Sequence, residues 1–473
     1  MRDDLIAVLD VGKTLAKLSL WTRSGDLLAK DSRPNARIDA GAYVALDADG
    51  IEAWLAQTLT AFAKQGRIGA IIPVGHGAAA AIVRDGKLAC PPIDYEEPGP
   101  DAARGPYEAA RDAFRHTGSP ALPGGLNLGA QLHYLQGLRP GLLAPGAQIL
   151  LWPQYWAWRL SGVAASEVTS LGCHSDLWRP KDRRVSDLAR ERGWDQALPP
   201  LAEAGAALGG LTDAWRARTG LDEAVRVYCG LHDSNAALLA ARGFAEIAQA
   251  ESTVLSTGTW FVAMRSPEDD ASVELSRLSE DRDCLINVDA FGKLVPSARF
   301  MGGREIEILA GVDTRRVDIK PDQPALLAAV PAVLAAGARV LPTFAPGFGP
   351  YPGHRGRWIN MPTDQAERRA AVCLYAALVA NESLDLIGAR ERILVEGRFA
   401  EAEVFVRALA SLRPRDQIYV SNAHNDVSYG ALRLIEPTLK PATALTPVAP
   451  LEVSIARYAQ DWRRDVERTE HAA

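Results

Sequence analysis

Cysteine is scarce in this chain and never occurs as a close pair. The five residues, Cys90, Cys173, Cys229, Cys284 and Cys373, are scattered, odd in number and without CxxC spacing. That pattern argues against a disulfide framework or a zinc cage, and fits small buried apolar groups in a reducing compartment. Long hydrophobic runs are missing as well. No stretch reaches the roughly 18 uncharged apolar residues of a membrane span, and the opening Met-Arg-Asp-Asp-Leu-Ile lacks the apolar stretch of a secretory leader. There is no Lys/Arg-rich run, and the net charge is −6, which argues against nucleic acid or an anionic membrane as partner. A cytoplasmic protein is expected. None of this opposes a nucleotide ligand, because phosphate can be held by local backbone N–H groups and a metal ion.

What is present is a globular composition, 48% hydrophobic and 23% charged, in 473 residues. That length exceeds one ordinary core and suits two large domains, here 1–243 and 244–473. The second half repeats the order of the first. A glycine hairpin opens each half, and the second continues through a long helix (Glu367–Arg390), a buried strand (Arg392–Val395) and a helix (Ala402–Leu412). This internal repeat predicts two α/β domains around an interdomain cleft, where active sites preferentially lie. Pro and Gly are dense over 91–106 and 120–129, which implies long loops near a site.

Three motifs carry chemistry. Asp10-Val11-Gly12-Lys13-Thr14 contains the Gly-Lys-Thr of a P-loop but not its earlier glycine, since position 7 is Ala, and Leu15–Leu20 reads as a strand rather than a helix. What remains is a hairpin turn able to point N–H groups at phosphate, with Asp10 placed to orient Mg²⁺ through water; taken alone, an ordinary hairpin explains it better. Thr257-Gly258-Thr259 in the second hairpin has the same ambiguity, and a turn demanding positive φ would need its glycine. Asp233, between strand-like Val225–Tyr228 and helix-like Ala236–Ala241, reads in isolation as a helix cap. It is also a carboxylate held rigidly at a strand-to-helix junction. One-residue spacing does not send the neighbouring His232 to the same place, so His232 reads as lining or packing. Glu396-Gly397-Arg398 could admit a nucleotide base against Gly397, or be a plain β-α connection. Trp152, Trp156 and Trp158 read first as core. Asn127, Gln131, Glu167, Thr169 and His174 have no metal-ligand spacing, so no structural metal is expected.

Taken together these segments resemble the FGGY carbohydrate kinase family, within the actin/hexokinase/Hsp70 ATPase-core group. Asp10–Lys17 resembles its first phosphate hairpin, Gly230–Ala237 its catalytic-aspartate segment, and Leu255–Trp260 its second phosphate hairpin. Tyr155-Trp-Ala-Trp-Arg-Leu-Ser-Gly162 with Ser166-Glu-Val-Thr169 is similar to the family's Tyr-x-x-x-x-Leu-Thr-Gly helix and the segment after it. His232-Asp233 and Ser256-Thr-Gly-Thr-Trp260 look most like the rhamnulokinase branch, an affinity echoed by Asn287 and Phe300-Met-Gly-Gly303.

The resemblance implies two ribonuclease-H-like domains and ATP-dependent phosphorylation of a small ketose or deoxyketose of the rhamnulose, fuculose or xylulose type. ATP and Mg²⁺ are the implied cofactors, sugar and ATP the partners; a homodimer is left open. Asp233 would be the base. Asp10, Gly12, Lys13, Thr14, Lys17, Thr257, Gly258, Thr259, Gly397 and Arg398 would hold nucleotide and metal. His76, Gly77, Trp152, Gln154, His232 and Asp233 would meet the sugar. Three departures stand out. The family's Trp-Gly-x-Asp type of sugar contact is missing near Gly75-His76-Gly77-Ala78-Ala79, where His76 reads as a partial substitute. The family's adenosine loop is a run of glycines, replaced here by Glu396-Gly397-Arg398. Lys13 is unusual, and reads as an extra phosphate contact. A rival from another class is a non-catalytic, sugar-sensing ATP switch on the same core, which would need no aspartate on the sugar side.

Overall fold

The computed structural model describes residues 4–311, 320–421 and 427–470. The chain divides into two compact units after Gly243. Among the described residues each unit is built on one seven-stranded mixed sheet.

In the first unit the run Leu-Ile-Ala-Val-Leu-Asp-Val forms the strand Leu5–Val11, buried at every position. A continuous apolar run of this kind suits a strand covered on both faces. It pairs antiparallel with Leu15–Trp21 and parallel with Ile68–Gly75. Side chains alternate across a strand, and the core divides accordingly. Ala7, Leu9 and Val11 pack with Ile51, Leu55 and Leu59 of helix Ala48–Phe62 and with Trp152 and Trp156 of helix Trp152–Ser161. Ile6 and Val8 pack with Ala236 and Ala240 of helix Asp233–Ala241 and with Leu432 of helix Val427–Ile435. Alternation puts Asp10 on that second face, the face of the helix that Asp233 begins.

The second unit has the same pairing order. Ser252–Thr257 is antiparallel to Phe261–Ser266 and parallel to Arg392–Gly397, with Gln417–Val420 beyond it. Helix Gln365–Leu386, capped by Asp364, covers this sheet with a largely buried surface. The registers also correspond: Val11 lies opposite Gly75, and Thr257 opposite Gly397. His76 and Arg398 therefore leave equivalent strand ends of the two units.

The second unit is not one continuous run from residue 244. Ile286–Leu294 and a stretch ending at Lys440 belong with the first. The second return has a steric cause. Helix Val427–Ile435 lies so close on Asp233–Ala241 that a Cβ at Gly430 would sit 1.7 Å from the Ala236 carbonyl oxygen. No helix among the described residues is long and apolar enough to cross a membrane.

Candidate active site

In the first unit Asp233 is set in place by backbone. Leu231–His232 adds a short parallel pairing to Val74–Gly75, directly beside the end of the strand that carries Asp10. Gly230 makes this approach possible, with φ of +79° and the space for a Cβ filled by the Pro73 carbonyl oxygen. His232 occupies the N-cap position without a side-chain cap bond, and Asp233 is the first residue of the helix. The carboxylate is therefore not the helix cap that its sequence context suggests. It accepts a 3.3 Å hydrogen bond from the Ser234 hydroxyl, and its side chain is 30% exposed. Burial raises its carboxyl to about 6, against the opposing pull of Ser234 and Lys17.

His232 does reach Asp233, contrary to expectation: its Nε2 lies 3.1 Å from Asp233 Oδ1. The Asn235 side-chain amide donates to His232 Nδ1 at 3.3 Å, which leaves the ring proton on Nε2, facing the carboxylate. Burial keeps the ring neutral, with its pKa lowered to about 4. Gly77 makes room for this ring, since a Cβ there would lie 2.8 Å from both His232 Nε2 and Cys173 Sγ.

The first hairpin turn closes with the Gly12 N–H donating to the Leu15 carbonyl at 3.0 Å, and Thr14 is exposed beside it. Asp10, opposite Lys17 in the register, is bridged by the Lys17 ammonium at 3.1 Å. Lys13 departs from the phosphate contact expected of it. Its ammonium bonds fully buried Asp94, lies 3.5 Å from Glu96 and sits 4.6 Å above the Tyr95 ring. His76 meets the same ring edge-on at 5.5 Å. Burial, with help from Lys13 and His232, drops the His76 pKa to about 3, so His76 is a neutral polar group here.

Trp152 and Gln154, expected to touch sugar, are buried supports in this structure. Trp152 stacks on Tyr155 at 5.5 Å and backs onto Gly75, where a Cβ would come within 2.9 Å of its ring. The Gln154 amide donates to the carbonyls of Cys229 and Gly230 at 3.3 and 3.1 Å, bracing the chain just before Asp233.

In the second unit the Thr257 hydroxyl donates to the Glu396 carbonyl at 2.6 Å and accepts from the Phe399 N–H at 3.1 Å. It ties the second hairpin to the Glu396–Arg398 segment. Gly397 has φ of +85°, and a Cβ there would lie 2.3 Å from the Thr257 carbonyl oxygen. Gly258 is different from expectation. It does not use a left-handed backbone, and a Cβ would meet nothing nearer than the Trp260 carbonyl oxygen at 3.8 Å. The steric demand falls instead on Gly303, whose Cβ would lie 2.0 Å from the Gly258 carbonyl oxygen. Thr259 receives a 3.4 Å bond from the Arg304 N–H. Arg398 is exposed at the start of a short 3₁₀ turn, and burial lifts the Glu396 carboxyl beside it to about 7.

Asp94 and Tyr95 were not legible as site residues, though they fall in the Pro/Gly-dense segment that signals a loop near a site. Magnesium usually takes one or two protein carboxylates, with phosphates and water completing the shell. Asp10, at a strand end beside the hairpin turn, fits a water-mediated role of that kind. Among the described residues no group of three His, Cys, Asp or Glu is gathered to hold a metal unaided.

Paired hairpin-led units, one carrying a carboxylate at a strand-to-helix junction, have the mixed α/β architecture of sugar kinases with two actin-like ATPase domains. Over 99% of the chain the fold matches a xylulose kinase from Rhodospirillum rubrum, with 19% identity, a TM-score of 0.78 and 98% of that chain covered. A carbohydrate kinase from Novosphingobium aromaticivorans is 55% identical, with a TM-score of 0.95 over 99% of this chain and all of that one, 100%. Residues 249–443 match the family described as "Carbohydrate kinase FGGY, C-terminal domain". An L-fuculokinase from Salmonella typhi is 29% identical over 291 residues, which span 58% of this chain and 59% of the fuculokinase's own length. The chain belongs to the FGGY carbohydrate kinases, phosphotransferases with an alcohol group as acceptor.

Proposed function

We propose that the protein transfers the γ-phosphoryl group of ATP to a hydroxyl of a small ketose or deoxyketose, of the rhamnulose, fuculose or xylulose type, in the cytoplasm. The observation that carries this reading is the Asp233 carboxylate. It is presented at the first residue of a buried helix, next to the Asp10–Lys17 hairpin, with a carboxyl pKa of about 6. A base tuned toward working pH can take the proton of the attacking hydroxyl as the oxygen bonds phosphorus and the bond to the leaving ADP oxygen breaks; such a base contributes roughly 10²–10⁴-fold. Neutral His232 orients the carboxylate through its Nε2 proton. The first unit would supply most of the sugar contacts, including His76 and Gly77, and the phosphate contacts of its own hairpin, and the second unit the remaining nucleotide contacts. Magnesium bound near Asp10 would neutralise charge on the phosphates. Incubating a ketose and polyol panel with ATP and Mg²⁺ tests the reading by mass spectrometry. One sugar gaining a single phosphate supports it, and nucleotide binding with no phosphorylated sugar favours the sugar-sensing switch.

Two binding predictions follow from the second unit. Gly258→Val should fold normally, because nothing crowds its Cβ, while denying phosphate an approach to the turn. Losing one hydrogen bond to a charged group, about 1.5–3 kcal/mol, weakens ATP roughly tenfold or more. Calorimetry should show that loss with sugar affinity unchanged; loss of sugar binding with ATP binding kept would reverse the assignment of the two halves. Arg398 leaves the strand end equivalent to that of His76, and its planar guanidinium can stack on a purine for about 0.5–2 kcal/mol. Arg398→Ala should raise the ATP KM roughly several-fold with kcat nearly unchanged, the signature of lost uniform binding. An unchanged KM at saturating sugar would move the adenine contact elsewhere.

A further inference from the structure

Glu167 and Thr169 take no part in the chemistry above, yet both are fully buried and reach the catalytic segment. Glu167 caps the short helix Val168–Leu171 and accepts the N–H groups of Thr169 at 2.9 Å and Ser170 at 3.2 Å. The Thr169 hydroxyl lies 2.6 Å from Glu167 Oε2 and 2.9 Å from the backbone nitrogen of His232. These contacts fix its direction. The His232 N–H can only donate, so Thr169 Oγ1 must accept there, and its single proton goes to Glu167. Oε2 is already an acceptor for Ser170 N–H, which favours that orientation over the reverse. Glu167 thus sets the hydroxyl, and the hydroxyl holds the backbone one residue before Asp233. Gln154 holds the carbonyls of Cys229 and Gly230 just upstream.

We propose that Thr169, oriented by Glu167, is a positioning residue for phosphoryl transfer, clamping the His232 backbone so that the Asp233 carboxylate stays aligned with the sugar hydroxyl. This rests on the kinase reading. Thr169 and Glu167 are fully buried and are not among the residues assigned to either ligand, so loss of the clamp should fall on kcat rather than on either KM. A misplacement of about 1 Å can cost on the order of 10²-fold in rate.

The test compares Thr169→Val, which keeps the shape and loses the hydroxyl, with Thr169→Ser, which restores it. Thr169→Val should lower kcat by roughly 10–100-fold and leave both KM values within about threefold, while Thr169→Ser recovers most of the loss. A Thr169→Val enzyme with normal kcat, or equal losses in the Val and Ser variants, overturns the proposal. A second readout is independent of turnover: the titration midpoint of the Asp233 carboxyl, followed by ¹³C NMR and assigned by its absence in Asp233→Asn. It should move in Thr169→Val and return in Thr169→Ser. If the unaltered protein phosphorylates no sugar, the kinase reading fails while this titration still decides the clamp, and an unmoved midpoint overturns it.

Discussion

Asp233→Asn should reduce sugar phosphorylation by about two to four orders of magnitude while leaving the fold and ATP binding intact. On the proposed function the substitution removes the base, while the Asn side-chain oxygen can still accept from Ser234 and the helix loses no cap. Its effect on stability has a definite sign. Burial raises the carboxyl from 3.8 to about 6, so between those values the folded state holds a proton that the unfolded state releases. Stability therefore falls as pH rises through that window, and at neutral pH the ionised group is a net cost. The neutral Asn removes that cost, so the melting temperature at pH 7 should be unchanged or higher. Activity has the opposite dependence: kcat/KM for the sugar should rise with pH through about 6 and level off as the base ionises. Near-normal turnover in the Asn variant would remove Asp233 from the mechanism.

Gly230→Ala should damage both stability and turnover. The backbone there has φ of +79°, and the added Cβ would fall 2.0 Å from the Pro73 carbonyl oxygen and 2.9 Å from its carbon. Neither neighbour is the end of a flexible side chain, so the pairing of Leu231–His232 with Val74–Gly75 must open. Strained backbone alone costs about 1–3 kcal/mol, and at roughly 2–4 °C per kcal/mol for a domain of this size the melting temperature should drop by about 5 °C or more. Displacing Asp233 should also lower kcat by roughly 10²-fold. Thermal unfolding set beside Gly258→Val provides the contrast, since that variant should melt normally. A Gly230→Ala protein with ordinary melting and turnover would show that the approach to Pro73 is not what sets the catalytic segment.

The parts of the site that could be read from sequence are the local ones. An apolar run broken by glycine and resumed as strand announces each hairpin, and a carboxylate between a strand and a helix announces Asp233. What escaped reading depends on closure across the chain. Lys13 looks like a phosphate ligand until Asp94, 81 positions away, takes its ammonium. Sequence spacing misdirects His232 because turn geometry says nothing of the Asn235 amide that orients the ring. Trp152 and Gln154 lie in the right segment, but the periodicity of a short helix does not separate a residue that touches ligand from one that supports the strand end beneath it. Helix Val427–Ile435 joins the first unit because Gly430 fits against Ala236, a complementarity with no sequence period. Gly258 and Gly303 exchange roles for the same reason: the crowded glycine is set by which backbone meets the turn, not by which one lies in it.

On the proposed function, phosphate leaves ATP because a sugar hydroxyl, deprotonated by Asp233, receives it. ADP release measured with and without each member of a ketose and polyol panel, in the unaltered protein and in Asp233→Asn, tests this most directly. ADP release that rises roughly 10²-fold or more with one sugar, and loses that rise in Asp233→Asn, is the predicted result. ADP release indifferent to every sugar, or a sugar-stimulated rate that survives Asp233→Asn, would contradict it.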